Sequence, residues 1–327
     1  MKAVVLEEYG GVEVLQIKEI PTPKPATNEL LVKVQATALN RADILQRKGF
    51  YPGPPAEYEI PGLEFSGTVI ANGDDAKLYK EGDTVMGIVA GGAYAEFLTV
   101  HERQVMAVPK NIPIQEAAGI PEAWLTAFDA LVHRGNLEAG QTCLIHAGAS
   151  GVGTAAIQIA KIMGASVATT ASTPKTNICK ELGADLAIDY TKKDYVEEVN
   201  RWTNNNGVNA IVDLVGGEYL ARNLKAIASK GTIVQVGLMG VGKPEIDLGI
   251  LLQKRLKLIG TVLRSRSQQE KIDLTKKFST EMLPKFTNGE FEVCVDTIQS
   301  LSDIGEAQKR MEQNLTLAKS LLKSPNA

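Results

Sequence analysis

The stretch 146-HAGASGVGTAAIQIAK-161 decides the fold. Within it, Gly148-x-Ser150-x-x-Gly153 has the spacing of the dinucleotide fingerprint G-x-G-x-x-G, with a serine at the second glycine. The β-rich run TCLIHA precedes it and an apolar helical run follows, and strand-turn-helix is the context that gives the pattern meaning. Gly148 is suited to the tight turn and Gly153 to close helix packing. The amides of Gly151 and Val152, at the positive end of a helix dipole, are placed to face a pyrophosphate. Ser150 stays small and adds a hydroxyl that can donate to a cofactor, which makes it a candidate for binding and for catalysis.

Outward from this loop the chain alternates. TCLIHA, SVATTA, ADLAIDY, VNAIVDLVG, GTIVQVGL and KLIGTVL read as strands, and 152–163, 174–182 and 218–229 as helices, with Gly164, Gly183 and Gly231 just beyond them as left-handed caps. Alternating strands and helices imply parallel strands with right-handed crossovers, hence a doubly wound α/β sheet. Residues 1–117 read differently: alternating runs such as LLVKVQATAL and proline turns at 21-PTPKP-25 and 52-PGPP-55 describe an irregular all-β module. After residue 263 come a helical stretch at 268–286, the strand VCVDTI, a short helix and a strand-like tail too short to fold alone, expected to pack on the first module.

At 327 residues the chain is longer than a single core usually grows, so two domains are expected. A net charge of −3 and a pI near 5.8 give no basic surplus for nucleic acid or for anionic membranes. The apolar run at the start is too short for a signal peptide, and no segment approaches the roughly 20 apolar residues that span a bilayer, so the cytoplasm is the expected location. Cys143, Cys179 and Cys294 lie far apart, and His101, His133 and His146 lack the spacing of a metal-binding helix, so no metal site is expected.

The second strand, SVATTA, ends at Ala171, where an NAD-preferring protein carries an acid for the ribose hydroxyls. Here Ser172, Thr173 and Lys175 follow instead. Hydroxyls and a lysine suit a 2′-phosphate, which favours NADPH over NADH. Tyr190, ending AIDY, is a candidate neighbour of the same phosphate.

Along nearly its whole length the chain resembles the zinc-independent quinone oxidoreductases of the medium-chain dehydrogenase/reductase family. The likeness is carried by 39-LNRADILQRKGFYPGPP-55, 62-GLEFSGTV-69, 119-GIPEAWLTAFDAL-131, the glycine loop, 237-GLMG-240 and 262-VLRSR-266. Zinc-containing relatives have a cysteine where this chain has Asn40 and G-H-E where it has Gly62-Leu63-Glu64, so two metal ligands are gone. The resemblance implies a β-rich GroES-like catalytic domain over 1–117 completed by 263–327, and a Rossmann NADPH-binding domain over 118–262, with the nicotinamide in the cleft between them. It implies Asn40 and Tyr51 beside the nicotinamide, and Ser150, Gly151, Val152, Ser172, Lys175 and Tyr190 on NADPH. Gly237, Leu238 and Leu263 approach the nicotinamide end. Asn314 is a cofactor-side residue, although the usual Gly-Lys pair nearby reads Ala318-Lys319. Arg41 and Asp43 are expected to brace their loop.

The implied activity is metal-independent hydride transfer from NADPH to a quinone, with Tyr51 the better proton donor and Asn40 a hydrogen-bond donor to the reduced oxygens. Reduction of the double bond of an alkenal or enone, and non-catalytic NADPH binding as a redox sensor, remain open alternatives. A homodimer through the apolar strand 258-LIGTVLR-264 is expected, because that strand is otherwise an exposed edge.

Overall fold

In the computed structural model, which describes residues 1–240, 242–243 and 245–325, the chain divides into two units. They are Met1–Leu125 with Arg264–Ala327, and Thr126–Leu263. The first break falls after Leu125 rather than after residue 117 because the start of the helix Pro121–Phe128 is held in the first unit. Trp124 packs on Phe286 and Phe291, with ring centroids 4.6 Å away in both cases. The amide of Glu122 donates to Glu64 Oε2 at 2.8 Å.

The second unit is built on a six-stranded sheet that is parallel throughout. In space the strands run Leu186–Asp189, Ser166–Ala171, Thr142–Ile145, Val208–Asp213, Ile227–Gln235 and Lys257–Gly260. The chain order is thus 3-2-1-4-5-6, and it reverses between Thr142–Ile145 and Val208–Asp213, where ligands of such sheets bind. The helix Gly151–Ile162 covers the sheet with an apolar face: Ala155, Ala156, Ile157, Ile159 and Ala160 are all fully buried.

Tyr195–Trp202 and Leu248–Lys254 are among the helices that went unread in the sequence, as is Pro121–Phe128. The expected helix over 218–229 ends at Ala226, and Ile227 already belongs to a strand, paired with Val208. Lys254 holds this junction by donating its ammonium to the carbonyls of Leu224 and Ile227. Gly164 and Gly183 have the expected positive φ, but beside Gly231 it is Lys230 that takes the left-handed conformation, with φ +64°. A methyl on Gly231 would lie 2.6 Å from Ile227 Cγ1, so close packing explains that glycine.

In the first unit the strand Glu29–Ala38 is central to a seven-stranded sheet. It pairs antiparallel with Glu64–Asn72, with Phe97–His101 and with the late strand Lys319–Lys323, whose Leu321 lies opposite Ala38. Leu30, Val32 and Val34 alternate into a core with Phe65, Val85 and Leu98. The stretch read as all-β also contains the helix Arg41–Arg47. The run 268–286 is broken into Gln268–Glu281 and Leu283–Thr287, with Pro284 in the first turn of the second helix. No helix among the described residues is long and apolar enough to cross a membrane.

A buried network ties the ends of three strands of the second unit together. His146 Nε2 lies 2.8 Å from Asn223 Oδ1 and Nδ1 lies 3.0 Å from Thr170 Oγ1, while Asn223 Nδ2 donates to Asp213 Oδ2 at 2.9 Å. Because Asn223 presents its oxygen, the imidazole carries its proton on Nε2, and burial lowers its pKa and keeps it neutral. Replacing Asn223 by Leu leaves His146 and Asp213 each short of a partner. We expect a loss of about 2–5 kcal/mol in stability, read as a lower urea midpoint with an unchanged m value.

Candidate functional site

The glycine loop of the second unit is tighter than its spacing alone shows. A methyl on Gly153 would lie 2.3 Å from the carbonyl oxygen of Ala147 and 2.6 Å from Gly148 Cα. A methyl on Gly148 would lie 1.8 Å from Thr169 Oγ1, a hydroxyl already bonded to the carbonyl of Ile145. Ala147 takes a left-handed conformation, φ +52°, to make the turn. Ser150 caps the helix: its Oγ accepts from the amide of Gly153 at 3.0 Å, which leaves its own proton to donate. Gly151 and Val152 hold the first two helical positions, where the helix offers no acceptor for their amides. Two open amides, a hydroxyl proton and a helix dipole converge where no side chain fits, and that is the donor set of a pyrophosphate.

At the end of Ser166–Ala171, Ser172 opens the 3₁₀ turn Thr173–Lys175 with no hydrogen bond of its own hydroxyl to the turn. Ser172 and Lys175 are half-buried and Tyr190 is exposed. The sequence reading missed Asp189, which ends the adjacent strand directly opposite Ala171. Its carboxylate accepts from the hydroxyls of Thr173 at 2.5 Å and Thr191 at 2.6 Å, bonds that hold its pKa down to about 2. Aligning the ends of the two neighbouring strands would have found it. Gly237 follows the fifth strand where a methyl would lie 2.6 Å from the carbonyl of Leu214; Leu238 is exposed and Leu263 buried. Gly148 to Gly153, Ser172, Lys175, Tyr190, Gly237 and Leu238 therefore all stand past the carboxyl ends of parallel strands.

Asn40 and Tyr51 stand in the first unit. Asn40 directly precedes the helix Arg41–Arg47, and its side chain is spent internally: Nδ2 donates to Glu64 Oε1 at 2.8 Å and to the carbonyl of Ala38, and Oδ1 accepts from Lys319 at 2.9 Å. Lys319 and Glu64 form a buried ion pair at 2.5 Å. With both amide hydrogens engaged, Asn40 organises charge rather than offering a free donor. Asp43 braces the same loop, accepting from the amide of Asn40, the hydroxyl of Tyr94 and the amide of Gly62, while Arg41 reaches Asn314 Oδ1 instead. Desolvation raises Asp43 to about 6. Tyr51 is half-buried, with the Arg264 guanidinium 4.9 Å from its ring centroid and bonded to its carbonyl. Burial raises its phenol further above 10.0, so it stays a donor at neutral pH. Leu63, at the other lost ligand position, is buried. Among the described residues no three His, Cys, Asp or Glu side chains gather to hold a metal ion.

Family models match on both units: the alcohol dehydrogenase GroES-like domain over residues 26–110 and the zinc-binding dehydrogenase model over 151–300. Human quinone oxidoreductase is 30% identical over 273 residues, covering 83% of this chain and 82% of that protein. The chain belongs to the quinone oxidoreductase family of medium-chain dehydrogenases/reductases. Solved structures of this class overlay it end to end. Escherichia coli quinone oxidoreductase, solved in complex with NADPH, has a TM-score of 0.89 and 29% identity over 99% of this chain and 100% of that one. The enoyl reductase CurK also has a TM-score of 0.89, with 26% identity over 99% of both chains.

In this quinone oxidoreductase relative the loop is the most constrained part of the site. Gly153→Ala forces backbone against backbone, and we expect it to lower stability by about 1–3 kcal/mol. It should also abolish cofactor binding, measured by nucleotide fluorescence titration on protein that circular dichroism shows to be folded.

Proposed function

We propose that this protein is an NADPH-dependent quinone reductase that works without a metal ion. The observation that carries the reading is the loop Gly148–Gly153, with its open amides over a helix N-terminus and Ser172 with Lys175 at the end of the neighbouring strand. The Escherichia coli relative solved with NADPH supports the choice of cofactor, and human quinone oxidoreductase the choice of acceptor. Bound NADPH supplies a hydride. The amides of Gly151 and Val152 and the Ser150 hydroxyl hold the pyrophosphate; Ser172 and Lys175 hold the 2′-phosphate. Asp189 does not oppose this, because its carboxylate is turned onto Thr173 and Thr191, with Lys192 3.6 Å away. Tyr51 offers its phenol to a substrate oxygen, and Asn40 fixes the Lys319–Glu64 pair. We place the reaction in the cytoplasm, a compartment suited to three free cysteines, and propose a homodimer through the edge strand Lys257–Gly260, whose Leu258 is exposed, as is Val262 just after it in the chain.

Following NADPH absorbance over a panel of quinones and conjugated enones tests the reading: quinones should turn over faster, and the reverse order would move it to double-bond reduction. Activity should survive exhaustive chelation, because a leucine stands at one lost ligand position and the amide at the other is engaged; loss with stoichiometric zinc would refute metal independence. Lys175→Ala should raise KM for NADPH about 10- to 100-fold at low salt while kcat and the KM for NADH stay nearly constant. Equal loss of both cofactors would remove Lys175 from the 2′-phosphate. Light scattering at micromolar concentration should give twice the chain mass.

A further inference from the structure

Every polar group of Tyr51 except its hydroxyl has a partner. The amide donates to the carbonyl of Leu45 at 3.2 Å, and the carbonyl accepts from Arg264 Nη1 at 2.8 Å. Among the described residues nothing hydrogen-bonds the hydroxyl of this half-buried side chain. Arg264, whose guanidinium also stands 4.9 Å from the Tyr51 ring centroid, is 8% exposed, and its three nitrogens serve three different acceptors. Nε donates to the carbonyl of Ala90 at 2.7 Å, Nη1 to that of Tyr51, and Nη2 to Gln46 Oε1 at 2.7 Å. A rigid fork serves three acceptors only while they keep fixed relative positions, so it ties the last turn of Arg41–Arg47, the loop after it and the turn at Ala90 together. Gln46 extends the tie. Its Nε2 donates to Glu59 Oε1 at 3.0 Å, which also accepts from the amide of Gly53 at 3.2 Å. A methyl on Gly53 would lie 3.0 Å from Gln46 Nε2 and 3.1 Å from Arg264 Nη2, so the loop is packed directly on these two side chains.

We propose that Arg264 is the positioning residue of the Tyr51 phenol. It reaches Tyr51 across 213 residues of sequence and acts on it in two ways. The fork fixes the loop, so that the hydroxyl is the one group of Tyr51 left to meet a substrate oxygen. The guanidinium also keeps its charge at any working pH and lies against the ring, where it stabilises the negative charge that grows on the phenol oxygen as the hydroxyl donates. Burial raises the Tyr51 phenol, and the Arg264 charge works against that rise. Lysine cannot take both parts, because one ammonium is a point charge without the fork. Asn40 offers no comparable group, since both of its amide hydrogens are engaged. The inference rests on the quinone reductase reading, in which Tyr51 is the donor.

Two substitutions test it: Arg264→Met keeps an unbranched stem without charge or donors, and Arg264→Lys keeps the charge without the fork. In Arg264→Met, kcat with a quinone should fall about 10- to 100-fold with KM for NADPH unchanged, because a displaced donor costs rate rather than cofactor affinity. Tyr51→Phe should lose a similar factor. The double variant should lose no more than either single one, since the guanidinium has nothing to position once the hydroxyl is gone. Chymotrypsin reads the loop without catalysis: cleavage after the exposed Phe50 should be about tenfold faster in Arg264→Met than in wild type. Arg264→Lys should fall between the two in kcat and in cleavage rate, and it decides the matter if circular dichroism shows that Arg264→Met does not fold. Losses that multiply in the double variant, or a wild-type kcat and cleavage rate in either arginine variant, would overturn the proposal. A wild-type protein that reduces no quinone would strike the functional reading alone, and the chymotrypsin rates would still judge the hold of Arg264 on the Tyr51 loop.

Discussion

Gly153 has no room for a side chain, and much of the second unit follows from that. Because the helix Gly151–Ile162 starts against the backbone of Ala147 and Gly148, its first amides come to the ends of the strands. Moving the helix out by the width of a methyl would separate the Ser150 cap from the turn it closes. The loop is in turn held from behind: His146 is hydrogen-bonded to Thr170 and, through Asn223, to Asp213, so the ends of three strands are locked at a common level. Asp213 then fixes the next turn by accepting from the amides of Val215 and Gly216. An anion-binding loop needs amides that do not move when charge arrives, and this chain obtains that rigidity from buried polar groups that are themselves satisfied.

The first unit meets a comparable demand with charge. Replacing two metal-ligand positions by Asn40 and Leu63 leaves Glu64 buried, and a lone buried carboxylate would be costly. Lys319, brought in by the late strand Lys319–Lys323, provides the countercharge, and the Asn40 amide bridges the two. The pair is completed across 255 residues of sequence, which is why the tail has to return to the first sheet.

How much of this could be read from the sequence depended on how local the cause was. The glycine loop, its strand and its helix follow from a pattern contained within residues 142–162, and strand-helix alternation announces a parallel sheet. The internal commitment of the Asn40 amide could not be read, because its partners Glu64 and Lys319 come from distant strands. Asp189 was overlooked for the same reason: it is eighteen residues beyond Ala171 in the chain but opposite it in the sheet. Helix ends failed where tertiary contacts override propensity, as at Ile227, which would extend a helix were Val208 not waiting as its strand partner.

Ala318 joins the two themes. The resembled family has glycine before this lysine, and here alanine occupies the position with φ +53°, a conformation that glycine enters freely and alanine only at a cost of about 1 kcal/mol. The chain accepts that strain because the next residue must enter the sheet with its ammonium turned inward. Releasing the turn would pull Lys319 from Glu64 and leave a charge buried alone, a loss of about 3–5 kcal/mol. Comparing these magnitudes, the ion pair dominates, and a local rule of backbone preference yields to an electrostatic requirement set on a different strand.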